Sequence, residues 1–143
     1  LKELEVDELR RPWGHLVGRK GHGQILVPDL YDVELEGQER RAKVVLGRFY
    51  VGENMAAHGG AVMVLFDDFL GGMLFHLGLP PSRTAYLKTD FKAITPIGEE
   101  LQVIGRVERI EGRKRFVTGE LRHGDTVCAV AEGLWVELLP GQG

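Results

Sequence analysis

The sequence predicts an α+β fold in which an antiparallel sheet curls around one long buried helix. Three observations lead there. Residues 59–77 form a run, apolar nearly all round, that is too long for a buried strand. Six shorter stretches are rich in Val, Leu, Ile and aromatics, two before that run and four after it. Short, turn-prone tripeptides and tetrapeptides separate most of these stretches, which suits hairpins rather than βαβ crossovers.

Taken in order, "LKELEVDELRR" spaces Leu1, Leu4, Val6 and Leu9 among charges and predicts a short surface helix ending at Pro12. Residues 1–23 are read as an N-terminal extension to a single domain whose core spans about 24–139 of the 143 residues. "QILVPDLYDVEL" and "RAKVVLGRFYVG" predict strands joined by "EGQE". Within the helix, Gly71 and Gly72 each weaken helix propensity by roughly 1 kcal/mol relative to Ala, which implies close approach of another element. "GLPPSR" ends the helix. "TAYLKTDFKAI" alternates, with Thr84, Tyr86, Lys88, Asp90 and Lys92 expected on one face and Ala85, Leu87, Thr89, Phe91 and Ala93 on the other. "ELQVIGRVERI" and "RKRFVTGELR" flank "EG", and "HGD" leads into "TVCAVAEGLWVELL", where Gly133 is expected at a bulge or bend.

Composition narrows the function classes. A net charge of −3 offers no broad electrostatic grip on nucleic acid or an anionic membrane. Asp67, Asp68 and His76 interrupt the longest apolar run, so membrane insertion is not expected. Cys128 is the only cysteine, which fits a reducing compartment, and the expected location is cytoplasmic. No metal site is expected.

The chemistry lies in "HGGAVMVLFDD", residues 58–68. An unpaired buried carboxylate is unfavourable. Asp67 and Asp68 lie about 100° apart around a helix, so they cannot share one environment. One can act on a substrate while the other is solvated or paired with an arginine. Ahead of them, Gly59 and Gly60 allow a ligand to approach a helix start, where free N–H groups favour an oxyanion. His58 reads as a hydrogen-bonding residue at this tip rather than as a base. Gly59 and Asp67 are separated by about 12 Å of helix, too far for one carbonyl to meet both. Two antiparallel helices from two subunits would bring Gly59 of one chain to Asp67 of the other, so the spacing predicts a homodimer with two equivalent sites.

"HGGAVMVLFDDFLG", "TAYLKTDFKAITPIG" and "VERIEGRKRFVTGEL", within residues 44–138, together resemble the hotdog-fold acyl-coenzyme A thioesterases, notably the phenylacetate-degradation type and the branch that shares the HGG–helix–Asp layout. The resemblance implies a sheet wrapped around a central helix and two such units joined edge to edge. It selects Asp67 as general base or nucleophile and the partner's Gly59 N–H as the carbonyl donor. It also implies that Thr84 binds the water or the carboxylate. Asp90, Lys92, Arg113 and Lys114 match positions that hold coenzyme A, which enters as part of the substrate, with no separate cofactor. In many relatives an Asn or Gln stands six residues before the histidine. Here that position is Gly52, and Asn54 is the nearest amide. Arg109 and Arg115 read as the solvated flank of the "EG" turn. A hotdog hydratase or dehydratase and a non-catalytic acyl-coenzyme A binder are the alternatives. The acyl group and the choice between dimer and dimer of dimers stay open.

Overall fold

The computed structural model describes residues 27–142, so the expected N-terminal helix and the extension over residues 1–23 lie outside the described residues. Strands β1 (Leu30–Glu36) and β2 (Glu39–Val45) precede the helix α1 (Gly59–His76). β3 (Ser82–Phe91), β4 (Glu100–Glu111), β5 (Lys114–His123) and β6 (Thr126–Glu137) follow. All six strands form one antiparallel sheet in the order β1-β2-β4-β5-β6-β3. The expected order of elements and hairpin connections is therefore observed. One expected strand is shorter than its sequence pattern, because "RAKVVLGRFYVG" leaves the sheet after Val45 and turns through a 3₁₀ segment at Arg48–Tyr50.

Two-residue turns at Gly112 and Gly124, both with φ near +58 to +59°, link β4, β5 and β6 into a meander. Glycine adopts that left-handed backbone without a Cβ clash. Across the middle of the meander, Gly105 pairs with Gly119. A Cβ on Gly105 would lie 2.8 Å from Leu70 and 3.0 Å from Phe69, and one on Gly119 would lie 3.0 Å from the Phe66 ring. The helix therefore crosses the sheet where two facing residues have no side chain, and its large residues fill that space. Phe66, Phe69, Leu70 and Met73 are completely buried there with Val103, Val117 and Leu121.

Gly71 and Gly72 also mark close packing, as expected. Gly71 lies against the Trp135 indole and Gly72 against the Arg40 guanidinium. Gly133 has a different reason from the predicted bend: the Trp135 ring folds back over it. The bulge falls on the facing strand instead, between Thr84 and Tyr86.

Only one side of α1 meets the sheet. By length and a mean hydropathy of 1.2 the helix matches a bilayer span, despite its interrupting charges, but its Phe66–Phe69–Leu70 face has the packing of a core helix. Met63, Asp67 and Phe75 recur at helical spacing along the uncovered side, and Phe75 is 76% exposed. The expectation that protein encloses the helix all round fails within one protomer.

Replacing Gly119 with Ala should force the buried Phe66 ring aside and lower unfolding stability by about 1–3 kcal/mol, read from urea denaturation.

Candidate active site

Asp67 and Asp68, adjacent in sequence, meet opposite environments. Asp67 is exposed on the rim of α1, and the Thr84 hydroxyl donates to its Oδ1 at 2.7 Å. Asp68 is half-buried and faces the guanidinium of Arg40, a residue only 7% exposed. Arg40 Nη1 donates to the Phe69 carbonyl at 3.0 Å and its guanidinium carbon sits 4.8 Å from the Phe69 ring centroid. Burial pulls the Arg40 guanidinium below its ordinary pKa, and the Asp68 carboxylate opposes that fall. Asp68 therefore belongs to a structural charge pair, while Asp67 is the carboxylate available to a substrate.

The bulge on β3 decides which strand residues share the site. Thr84 pairs with Trp135, whereas Leu87, Thr89 and Phe91 pair with Gly133, Ala131 and Ala129. These partners face the helix. Tyr86, Lys88 and Asp90 pair with Leu134, Glu132 and Val130 on the outer face. Simple alternation placed Thr84 with Lys88 and Asp90, and the extra residue at the bulge reverses that grouping. Thr84 points to Asp67, while Asp90 lines a hollow of about 440 Å³ on the outer face with Lys88, Arg106 and Glu120.

The second half of the site is the helix tip. His58 N–H donates to the Tyr50 carbonyl at 2.8 Å and Ala57 N–H to the Thr95 carbonyl at 2.7 Å, which fixes the entering loop. Ala61 and Val62 both donate to the His58 carbonyl. Among the described residues, no hydrogen bond takes up the N–H groups of Gly59 and Gly60, the first two of the helix. Gly59 borders a hollow of about 580 Å³ lined also by Val51, Gly52, Glu53, Ala57 and His58. Asn54 is not part of that lining. It and Met55 have φ of 54° and 60°, and this left-handed turn carries the amide out of the hollow.

Arg113 and Lys114 lie at the β4–β5 hairpin, at the sheet end shared by Ser82 and Glu137. Arg113 Nε and Nη2 both donate to the Glu137 carbonyl, at 3.0 and 2.8 Å. Lys92 lies past the opposite end of β3, its N–H donating to the Cys128 carbonyl at 2.8 Å. One protomer therefore does not bring Asp90, Lys92, Arg113 and Lys114 together. Arg115 corrects the expectation of a solvated residue: it is 2% exposed, faces the helix side with Trp135, and lies 3.5 Å from the Glu137 carboxylate. Arg109 remains at the surface, stacked on Phe116 and bonded to Glu111. The residue that sequence reading missed is Phe91, whose ring lies against Gly59. The only signal for it was an aromatic placed in the alternating pattern.

The sequence model of the Thioesterase superfamily matches residues 55–130, which carry the helix tip, Asp67, Thr84 and most of the meander. The chain belongs to the thioesterase superfamily. The acyl-coenzyme A thioesterase THEM4 of Xenopus laevis is 32% identical over 97 residues, covering 66% of this chain and 43% of that protein. The crystal structure of a thioesterase superfamily protein superposes with a TM-score of 0.74 at 29% identity, covering 96% of this chain and 68% of the other. The E. coli PaaI protein from the phenylacetic acid degradation operon has a TM-score of 0.69 at 14% identity, over 76% of this chain and 82% of its own, which shows the shared hotdog fold. The chain spans between 36% and 60% of the length of the curated relatives it matches.

Asp68→Ala should leave the buried Arg40 charge poorly compensated and lower stability by about 2 kcal/mol. Asp67→Ala should lose only one exposed hydrogen bond and about 1 kcal/mol or less. Chemical denaturation of the two variants side by side checks the difference.

Proposed function

We propose that this superfamily member hydrolyses the thioester of an acyl-coenzyme A, fatty or aryl, as a cytoplasmic homodimer. The observation that carries this reading is the Thr84–Asp67 hydrogen bond beside a free sheet edge. The name of the THEM4 relatives supports the substrate class.

β3 runs opposite to α1. Gly59 lies by Phe91 at the end of the strand, and Asp67 bonds Thr84 near its start. β3 is also the last strand of the sheet, with its outer edge unpaired among the described residues. Joining two copies through that edge about a two-fold axis brings the Gly59 end of one to the Asp67 end of the other. The competing edge strand, β1, suits self-pairing less well: it carries Asp32, Glu34 and Glu36, a bulge and no basic residue. On β3, Lys88 and Asp90 have opposite signs and attract across a two-fold axis. Met63, one turn before Asp67, and Phe75, two turns after it, are exposed apolar residues of α1 that would supply further surface for the partner and the acyl group. Pairing of such dimers into tetramers would use other surfaces, with the outer face of the sheet as one.

In each composite site, the Gly59 N–H would donate to the thioester carbonyl oxygen. Asp67 of the partner would take a proton from water as the hydroxyl oxygen attacks the carbonyl carbon, or attack that carbon itself to give an anhydride that water then opens. Either route ends in a carboxylate and the free thiol of coenzyme A. Thr84 would orient the Asp67 carboxylate through its hydroxyl. His58 and Gly60 would border the carbonyl. Lys92 and Asp90 from one subunit and Arg113 and Lys114 from the other would contact the nucleotide portion, and the reaction needs no metal or separate cofactor.

Asp67→Asn should lower kcat by at least about a hundredfold with KM little changed, and Thr84→Ala by about tenfold. Thiol release from a panel of acyl-coenzyme A thioesters reads both, with crotonyl-coenzyme A hydration as the control for a hydratase. Full activity in Asp67→Asn would overturn the mechanism. Sedimentation equilibrium should give a species of at least twice the 15.9 kDa chain mass, and a monomer that turns over would exclude the composite site.

A further inference from the structure

We infer that Phe91 is a specificity-determining residue that discriminates against acyl groups branched next to the carbonyl. The inference rests on the thioesterase reading above and deepens it by naming a substrate class.

Phe91 is the last residue of β3 and, because of the bulge at Ala85, lies on the helix-facing side with Thr84. Its Cζ would be 3.3 Å from a Cβ built on Gly59, with Cε1 at 3.7 Å. The ring edge is therefore packed against the backbone whose N–H begins the helix. Packing does not explain the residue alone, since the ring lies against Gly59 and yet 52% of its surface is exposed in one protomer. A large aromatic left half-open at a functional helix tip has a free face for a ligand.

The distances determine what that face meets. A carbonyl oxygen accepting from the Gly59 N–H sits about 3 Å from the nitrogen, and the carbon bearing the acyl chain lies one bond beyond the carbonyl carbon. A thioester held at that N–H would place its first acyl carbon in the neighbourhood of the ring. The hollow that Gly59 also borders is lined by Val51, Gly52, Glu53, Ala57 and His58 and does not include Phe91, and its volume of about 580 Å³ leaves room. The ring thus fills one flank of the first acyl carbon while the opposite flank stays open. A straight chain has only hydrogens on that carbon and can turn its bulk away from the ring. An additional methyl there competes with the chain for the open flank and leaves fewer rotamers that keep clear of the ring.

The test compares straight and branched thioesters of matched carbon number, butyryl- against isobutyryl-coenzyme A and octanoyl- against 2-methylheptanoyl-coenzyme A. The parent chain should favour the straight member by about tenfold or more in kcat/KM, the range that one misplaced methyl group produces. Phe91→Ala should reduce that ratio to near unity by raising kcat/KM for the branched members, while Phe91→Tyr keeps the parental ratio. Phe91→Leu, which preserves apolar contact, serves if the alanine variant does not fold and should give an intermediate ratio. A uniform loss across all four thioesters, with the ratio unmoved, would assign the ring a purely structural role and overturn the inference alone. Absence of hydrolysis by the parent chain on every thioester would remove the hydrolase reading and this inference with it.

Discussion

Close contact between the helix and the sheet across Gly105 and Gly119 is the constraint on which the remaining geometry depends. Without side chains on those residues, Phe66, Phe69 and Leu70 reach the strand backbones, and the helix settles across the middle of the meander. That seat fixes where the first turn and the middle of α1 lie. Its N-terminus arrives beside Phe91, and two turns later its rim arrives beside Thr84. Dispersion and apolar burial thus place two polar groups that do not touch each other.

The neighbouring aspartates show how one helix presents two carboxylates to different surroundings. A helical step of about 100° turns Asp68 toward Arg40 and the sheet, while Asp67 stays at the rim. The Arg40 charge is held by Asp68, the Phe69 carbonyl and the Phe69 ring, so the buried guanidinium has partners on several sides. Asp67 is spared that duty. Its hydrogen-bond partner is the Thr84 hydroxyl, which orients a carboxylate without neutralising it.

Much of this was legible in the sequence because local chemistry determined it. The apolar run, the glycine turns and the period of the strands locate the helix and the four strands after it to within a few residues, whereas β2 ends earlier than its pattern and the 3₁₀ turns beyond it went unread; the HGG–helix–Asp spacing singled out the candidate site. What stayed hidden depended on contacts between distant residues. The bulge at Ala85 has no signature in "TAYLKTDF", yet it moves Thr84 to the helix face and leaves Asp90 outside. Arg115 looks like its neighbours Arg113 and Lys114, but strand alternation past the turn sends it inward to Trp135 and Glu137. Arg40 reads as one more charge in "QERRAK" until the helix lies against it.

The order of the strands has a consequence for how the protein assembles. β4, β5 and β6 pair with their sequence neighbours through tight turns, so they can zip together early, at little loop-closure entropy. β3 instead pairs with β6, skipping the two strands between them in sequence, and can be captured only after that meander exists. The strand bearing Thr84 and Phe91 therefore joins late, and the Asp67–Thr84 contact forms only once nearly all of the architecture stands.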